Sequence, residues 1–188
     1  ARAVVTAERS GLNFLQTLSA TATCVRQFVQ AIEGTRAKIM DTRKTLPGLR
    51  MVQKYAVRVG GGHNQRAGLF DGVLIKENHI LAAGGIAAVL AQVKAQIPSH
   101  IPVQIEVESL DELAQALSAG ASLILLDNMD NKQLIEAVAL AGEQAQLEAS
   151  GGIHLGNVAQ IAQTGVHRIS IGHLTKDITA VDLSLRVQ

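Results

Sequence analysis

Tryptophan is missing from this chain, and one tyrosine and three phenylalanines are its only aromatics among 188 residues. The core must therefore be aliphatic. Nucleic-acid binding by base stacking is disfavoured as well, because the most basic stretch offers only Tyr55. A lone cysteine, Cys24, excludes an internal disulfide framework and a cysteine zinc site, and fits a cytoplasmic setting. It falls on the apolar side of a helical pattern, which suits packing better than nucleophilic catalysis. Charge of one sign is also lacking: the net charge is +1, so no global field points to nucleic acid or an acidic membrane. No apolar run approaches a membrane span, and the opening ARAVVTAERS is not a signal peptide. The six histidines have no HExxH spacing, and neither the nucleotide-triphosphatase phosphate loop nor a GxGxxG after the first strand occurs.

What is present is 47% apolar residues, enough to bury a substantial core in one domain. Leu15, Leu18, Ala22, Val25, Val29 and Ile32 step by three and four, which predicts one long helix over 6–33 stopped by Gly34. Thereafter β-rich runs at 37–40, 72–75, 103–108, 122–126, 146–149 and 167–171 alternate with helical periods. Ile86, Val89, Leu90, Val93 and Ile97 mark one helix; Ser109 with Glu112 caps another, carrying Leu110, Leu113 and Leu117; Leu134, Ile135 and Val138 mark a third. This rhythm predicts an α/β fold with a parallel sheet and crossover helices. Two segments are expected, a helix over 1–34 leading into an α/β barrel over 35–188.

Parallel α/β folds carry their chemistry beyond the carboxyl ends of the strands. Here those ends hold Asp41 with Arg43 and Lys44, then Lys76, then Glu106 and Glu108, then Asp127 and Asn128, then Ser150-Gly151-Gly152, then Gly172. Helix caps and turns explain one or two of these, but not Lys76, Glu106 and Glu108 within apolar runs. Strand alternation sets Gln104, Glu106 and Glu108 on one face, expected at the barrel mouth with Lys76 and Lys44 as partners. Between Arg36 and Arg66 cations outnumber the single Asp41, and glycines interrupt the run, unlike a solvated helix face. The glycine loops ASGGI and SIGHLT predict a phosphate cradle, with Ser150 a contact. Arginine suits planar carboxylates, and carboxylates beside phosphate loops suit Mg²⁺ and sugar hydroxyls. A small carboxylic acid together with a phosphorylated sugar satisfies both ends.

The segments ERSGLNFLQTLSATAT, DTRKTLPGLR, KYAVRVGGGHNQR, LIKENH, IEVES, LLDNM, LEASGGI and ISIGHLTK, in that order, resemble the quinolinate phosphoribosyltransferases. The resemblance implies an α/β barrel of fewer than eight strands and a homodimer. The implied reaction transfers phosphoribosyl from phosphoribosyl pyrophosphate to quinolinate with decarboxylation, giving nicotinate mononucleotide for NAD biosynthesis. It implies that Arg43, Arg66, Lys76 and Gln65 meet quinolinate, and that Arg9 reaches the neighbouring subunit's site. Lys44 matches a contact to the sugar donor. Glu106 and Asp127 match groups serving ribose and Mg²⁺, and Ser150, Gly151, Gly152 and Gly172 the 5′-phosphate cradle. Lys44, Lys76, Glu106 and Asp127 are thereby the expected catalytic groups. Gln65 stands where the family usually has His, and the family's N-terminal domain is expected to be absent from this chain. The alternative is a paralogous or truncated barrel that binds anions or dimerises without turnover.

Overall fold

The structure, a computed structural model, describes residues 2–186. It opens with α1 (Arg2–Ala31), followed by β1 (Lys38–Met40), α2 (Arg50–Val59), β2 (Val73–Ile75), α3 (Glu77–Ala83) and α4 (Ile86–Gln96). Then come β3 (Val103–Val107), α5 (Leu110–Ser118), β4 (Leu123–Asp127), α6 (Asn131–Ala141), β5 (Gln146–Ser150), α7 (Val158–Gln163), β6 (Arg168–Ser170) and α8 (His173–Lys176). The six strands run in the order β1-β6-β5-β4-β3-β2, and every pair is parallel. With helices outside, this is the expected α/β barrel of fewer than eight strands.

The strands split the polar from the apolar by simple alternation. Ile105 and Val107, Ile124 and Leu126, Leu147 and Ala149, and Ile169 turn outward into a core with Leu113, Ala116, Leu134, Ala137 and Ile161 of the helices. The intervening positions turn inward, and they are polar to an unusual degree. Arg168, Glu148, Leu125 and Glu106 share one register rung across four strands. The barrel interior is thus hydrophilic, and the hydrophobic driving force lies in the layer between strands and helices.

All six strands form within a residue or two of the expected spans. The long helix differs more: it begins at Arg2 and ends at Ala31. Of its expected stripe only Val25 and Ile32 are buried, joined by Phe28, which the stripe did not include, while Leu15 remains 56% exposed. Helices α2, α3, α7 and α8 had no sequence expectation; α2 is masked by its charges and the others are too short to show a period. Ser109 caps α5 by accepting from the Glu112 N–H, but the Glu112 carboxylate returns to the Glu108 N–H rather than to Ser109.

The GGGHNQR segment also joins the sheet: His63 donates its N–H to the Ile39 carbonyl and its own carbonyl accepts from Asp41. Close approach makes this possible. A Cβ on Gly62 would sit 2.8 Å from Val25 Cγ1 and 2.9 Å from Val57 Cγ1. Replacing Gly62 by Ala is expected to cost about 1–3 kcal/mol of stability through overpacking. Urea unfolding checks this, and an unchanged midpoint would show that α1 gives way freely there.

Candidate functional site

Loop 41–46 leaves β1 with Asp41 turned into the protein and fully buried. Asp41 Oδ1 accepts from Lys54 Nζ at 2.7 Å and from the Gln65 N–H at 2.7 Å, while Oδ2 accepts from Asn64 Nδ2 at 2.7 Å. Lys54 also donates to the Gln65 carbonyl at 2.7 Å. Burial pushes the Asp41 carboxyl above its usual value, and Lys54, Gln65 and Asn64 oppose that shift. Asp41 is therefore no open site group, contrary to its place at a strand end; it anchors the loop that carries Gln65 and Arg66.

Neighbouring residues brace the rest of that loop through main-chain carbonyls. Arg50 donates to the Arg43 carbonyl at 3.1 Å and to the Ala67 carbonyl at 3.2 Å. Thr175 Oγ1 donates to the Lys44 carbonyl at 2.7 Å, and buried Gln53 links Thr175 to Leu46. The side chains of Arg43 and Lys44 are left outward, both on the wall of a cleft of about 280 Å³ at the carboxyl end of the barrel.

This cleft brings together most of the expected residues: Arg43, Lys44, Gln65, Arg66, Lys76, Glu106, Asp127 and Ser150 all line it. Lys76 Nζ donates to both Glu106 oxygens, at 2.7 and 2.6 Å, on a carboxylate only 9% exposed. The N–H of Lys76 is held by His79 Nδ1 at 2.9 Å, which gives LIKENH its local logic. Burial first, and then the adjacent Arg43 guanidinium, push Arg66 below its usual value. Two arginines pressed together on one wall favour an anion between them.

A second cavity, of about 580 Å³, continues from the first and shares Lys44, Asp127 and Ser150 with it. Gly151, Gly152 and Gly172 line it, as the glycine loops led one to expect. Gly151 has φ +97°, and a Cβ there would lie 2.7 Å from Asn128 Cγ. No other residue fits. Asn128 joins this wall from the end of β4, and His154, His173 and Lys176 join it without having been expected. Of these three, His173 directly follows Gly172 just past β6, whereas His154 and Lys176 follow Ile153 and Thr175 and had no such signal.

Other expectations fall outside. Arg9, expected to serve a neighbouring subunit's site, is exposed on α1 and lines neither cavity of its own chain. Glu108 lies one residue past β3, exposed, where the strand has ended and its face no longer points into the barrel. The carboxylate partner at the mouth is Lys76 rather than Lys44. Among the described residues no cluster of three or more metal-type ligands occurs. Glu106 and Asp127, the two carboxylates of the expected metal pair, both line the cleft, enough for a hard cation that takes only one or two protein carboxylates.

The residue most missed is Glu148, fully buried under the cleft. It accepts from Gln65 Nε2 and, at 3.1 Å, from Gln104 Nε2. The run QLEAS looks like any strand, and only its register with Leu125 and Arg168 reveals an inward carboxylate.

The mouth of this α/β barrel joins a cleft walled by arginine and lysine to a cavity walled by glycine, surroundings suited to anions. The chain matches the family described as quinolinate phosphoribosyl transferase, C-terminal domain, over residues 21–186, and it belongs to that family. The probable nicotinate-nucleotide pyrophosphorylase (carboxylating) of Bacillus subtilis (strain 168) is 41% identical over 187 residues, covering 100% of this chain and 65% of that protein. The nicotinate-nucleotide pyrophosphorylase (carboxylating) of Mycobacterium leprae (strain TN) is 47% identical over 188 residues, covering 98% and 66%. The solved nicotinate-nucleotide pyrophosphorylase of Francisella tularensis superimposes with a TM-score of 0.97 at 49% identity, covering 100% of this chain and 67% of that one. The chain thus spans just under two thirds of these curated relatives.

Burial pushes the Glu148 carboxyl above its ordinary value of 4.5, with the hydrogen bonds from Gln104, Gln65 and Ser170 and the charge of Arg168 opposing. A raised acid adds stability below its ordinary value and loses that contribution as pH climbs through the raised one. Relative to Glu148→Gln, the native protein is expected to lose stability as pH rises above 4.5. Urea unfolding over a pH series measures this, and parallel curves would mean that Glu148 does not titrate as its burial requires.

Proposed function

We propose that the protein transfers the phosphoribosyl group of phosphoribosyl pyrophosphate to quinolinate, with loss of CO₂, giving nicotinate mononucleotide and pyrophosphate in NAD biosynthesis. The observation that carries this is the convergence of Arg43, Arg66 and Lys76 on a cleft that shares Lys44 with the glycine-walled cavity. The names of the relatives support the same reaction. In this reading Arg43, Arg66 and Lys76 hold the two carboxylates, and the 5′-phosphate lies against Ser150, Gly151, Gly152 and Gly172. Gln65 lies under the acid. Lys44, between the two, faces the pyrophosphate.

The bond from the anomeric carbon to pyrophosphate breaks first, and the sugar becomes oxocarbenium-like. Glu106 and Asp127 offset that positive charge from inside the barrel, while Lys44 offsets the charge on the leaving group. The quinolinate nitrogen donates its lone pair to the anomeric carbon. The adjacent carboxylate then leaves as CO₂, its electron pair remaining on a ring carbon beside a cationic nitrogen, with Lys76 a fixed positive charge nearby; that carbon finally takes a proton. Magnesium held by Asp127 and Glu106 with the donor's phosphates would supply further neutralisation of pyrophosphate.

The working unit in this proposal is a cytoplasmic homodimer in which Arg9 reaches the neighbouring site. Exposed Phe14 and Leu15 on α1 and Met51, Tyr55 and Val59 on α2 are an apolar surface suited to a second copy. Sedimentation is expected to give the mass of two chains, and a monomer at micromolar concentration would remove Arg9 from the site.

Titration calorimetry tests the substrate. Quinolinate is expected to give heat where nicotinate, with one carboxylate fewer, gives none, and Arg66→Ala should weaken quinolinate about 10- to 100-fold, the worth of charged hydrogen bonds. Equal binding of both acids would overturn the proposal. Binding without release of CO₂ and pyrophosphate, once the sugar donor is added, would instead favour an anion-binding module.

A further inference from the structure

The proposed grip on the acid needs Arg43 and Arg66 side by side, and like charges do not settle there unaided. They arrive on separate pieces of chain, Arg43 on the loop after β1 and Arg66 on the segment before β2. Arg43 opposes the charge on Arg66, and Asp71 offsets part of that repulsion from beyond ion-pair distance. A further cation joins the two pieces. Arg50, the half-buried first residue of α2, engages all three of its guanidinium nitrogens. Nη2 donates to the Arg43 carbonyl at 3.1 Å, Nη1 to the Ala67 carbonyl at 3.2 Å, and Nε to Thr45 Oγ1 at 3.1 Å. One acceptor belongs to Arg43 itself, and another to the residue that directly follows Arg66.

We propose that Arg50 is a positioning residue that sets the spacing of Arg43 and Arg66, and through it the affinity for a dicarboxylic acid. This rests on the substrate class proposed above. Arg50 does not line the cleft, so it acts through the two arginines that do. A rigid planar fork holds two carbonyls at a fixed separation, which a single ammonium on a flexible stem does not. Local needs do not explain the residue. A cation in the first turn of a helix is opposed by the helix dipole, and α2 has no acidic residue there to offset it. Among the described residues Arg50 forms no ion pair, and its three acceptors are neutral.

The sugar-donor side of the same loop is fixed independently. Thr175 Oγ1 holds the Lys44 carbonyl at 2.7 Å, and Gln53 ties the Thr175 carbonyl to the Leu46 N–H. The Lys44 N–H rests on Thr42 Oγ1 at 3.1 Å. Gln53 and Lys54 share a face of α2 with Arg50, but Lys54 is spent on Asp41. One helix face therefore braces the mouth at three separate points, and only the Arg50 point falls on both arginines. Losing it frees the acid wall while Lys44 keeps its support.

The test is Arg50→Lys, which keeps the charge and removes the fork. It is expected to weaken quinolinate about tenfold, by calorimetry and in KM, while KM for phosphoribosyl pyrophosphate stays native. A merely structural role would loosen the whole loop and raise both KM values together, and that result overturns the inference. Native quinolinate affinity in Arg50→Lys overturns it too, because charge alone would then suffice. In an Arg66→Ala background the same substitution is expected to cost less, since one of the groups it positions is gone; full additivity overturns the inference. That cycle needs binding only, so it decides even without turnover. Should Arg50→Lys fail to fold, Thr45→Val removes the Nε acceptor and lets the guanidinium turn. It is expected to weaken quinolinate in the same direction, and unchanged affinity there overturns the inference. Each of these failures leaves the proposed function standing; no binding of quinolinate by the native protein overturns both.

Discussion

Everything at the mouth of this barrel depends on a buried aspartate. Asp41 sits where β1 ends, inaccessible to water, and its carboxylate collects Lys54, Asn64 and the main chain of Gln65. A buried charge of this kind is tolerated only when its partners are complete, and removing one leaves the other stranded. Here the partners come from α2 and from the 60–66 segment. One carboxylate therefore fastens three pieces of chain that adjoin the cleft. Arg43 and Lys44 follow it on one side; Gln65 and Arg66 hang from it on the other.

That anchoring compensates for an incomplete barrel. The sheet has edges at β1 and β2. The glycine-rich segment lies along β1 through His63, and from there side chains carry the connection across. Arg66 donates to the Gly72 carbonyl at 3.0 Å beside β2, and Gln65 reaches Gln104 on β3. Side-chain bonds thus do at this seam what strand pairing does elsewhere. The same residues line the cleft, so the integrity of the seam and the shape of the binding wall are one property.

The polar interior has a related origin. Aliphatic residues are plentiful enough to build the layer between strands and helices without aromatics. The barrel axis is then free to hold ionisable groups, each with a defined partner: Lys76 with Glu106, and Gln65 and Gln104 with Glu148. Among the described residues no fully buried side-chain polar atom lacks a hydrogen-bond partner. Such completeness lets a low-dielectric interior keep charges in fixed places, which is the condition for acting on a substrate electrostatically.

By itself the sequence determined the architecture and one wall of the site. Period-2 apolar runs, helical stripes and glycine stops are local signals, and they located all six strands and the loops at their ends. Lys44, Lys76, Glu106, Asp127 and the glycines were legible because each stands out against its immediate neighbours. Tertiary structure alone decided which of these groups are open and which are buried. Asp41 and Glu148 look alike in one dimension, as single carboxylates on or beside short strands. One became an anchor and the other the floor of a cleft, because strand register, and not local sequence, sets what lies across the barrel axis. Leu15 makes the same point from outside: helix periodicity fixed its face, but the fold leaves it exposed. The hydrogen bond between Gln65 and Glu148, 83 residues apart, has no one-dimensional signature at all.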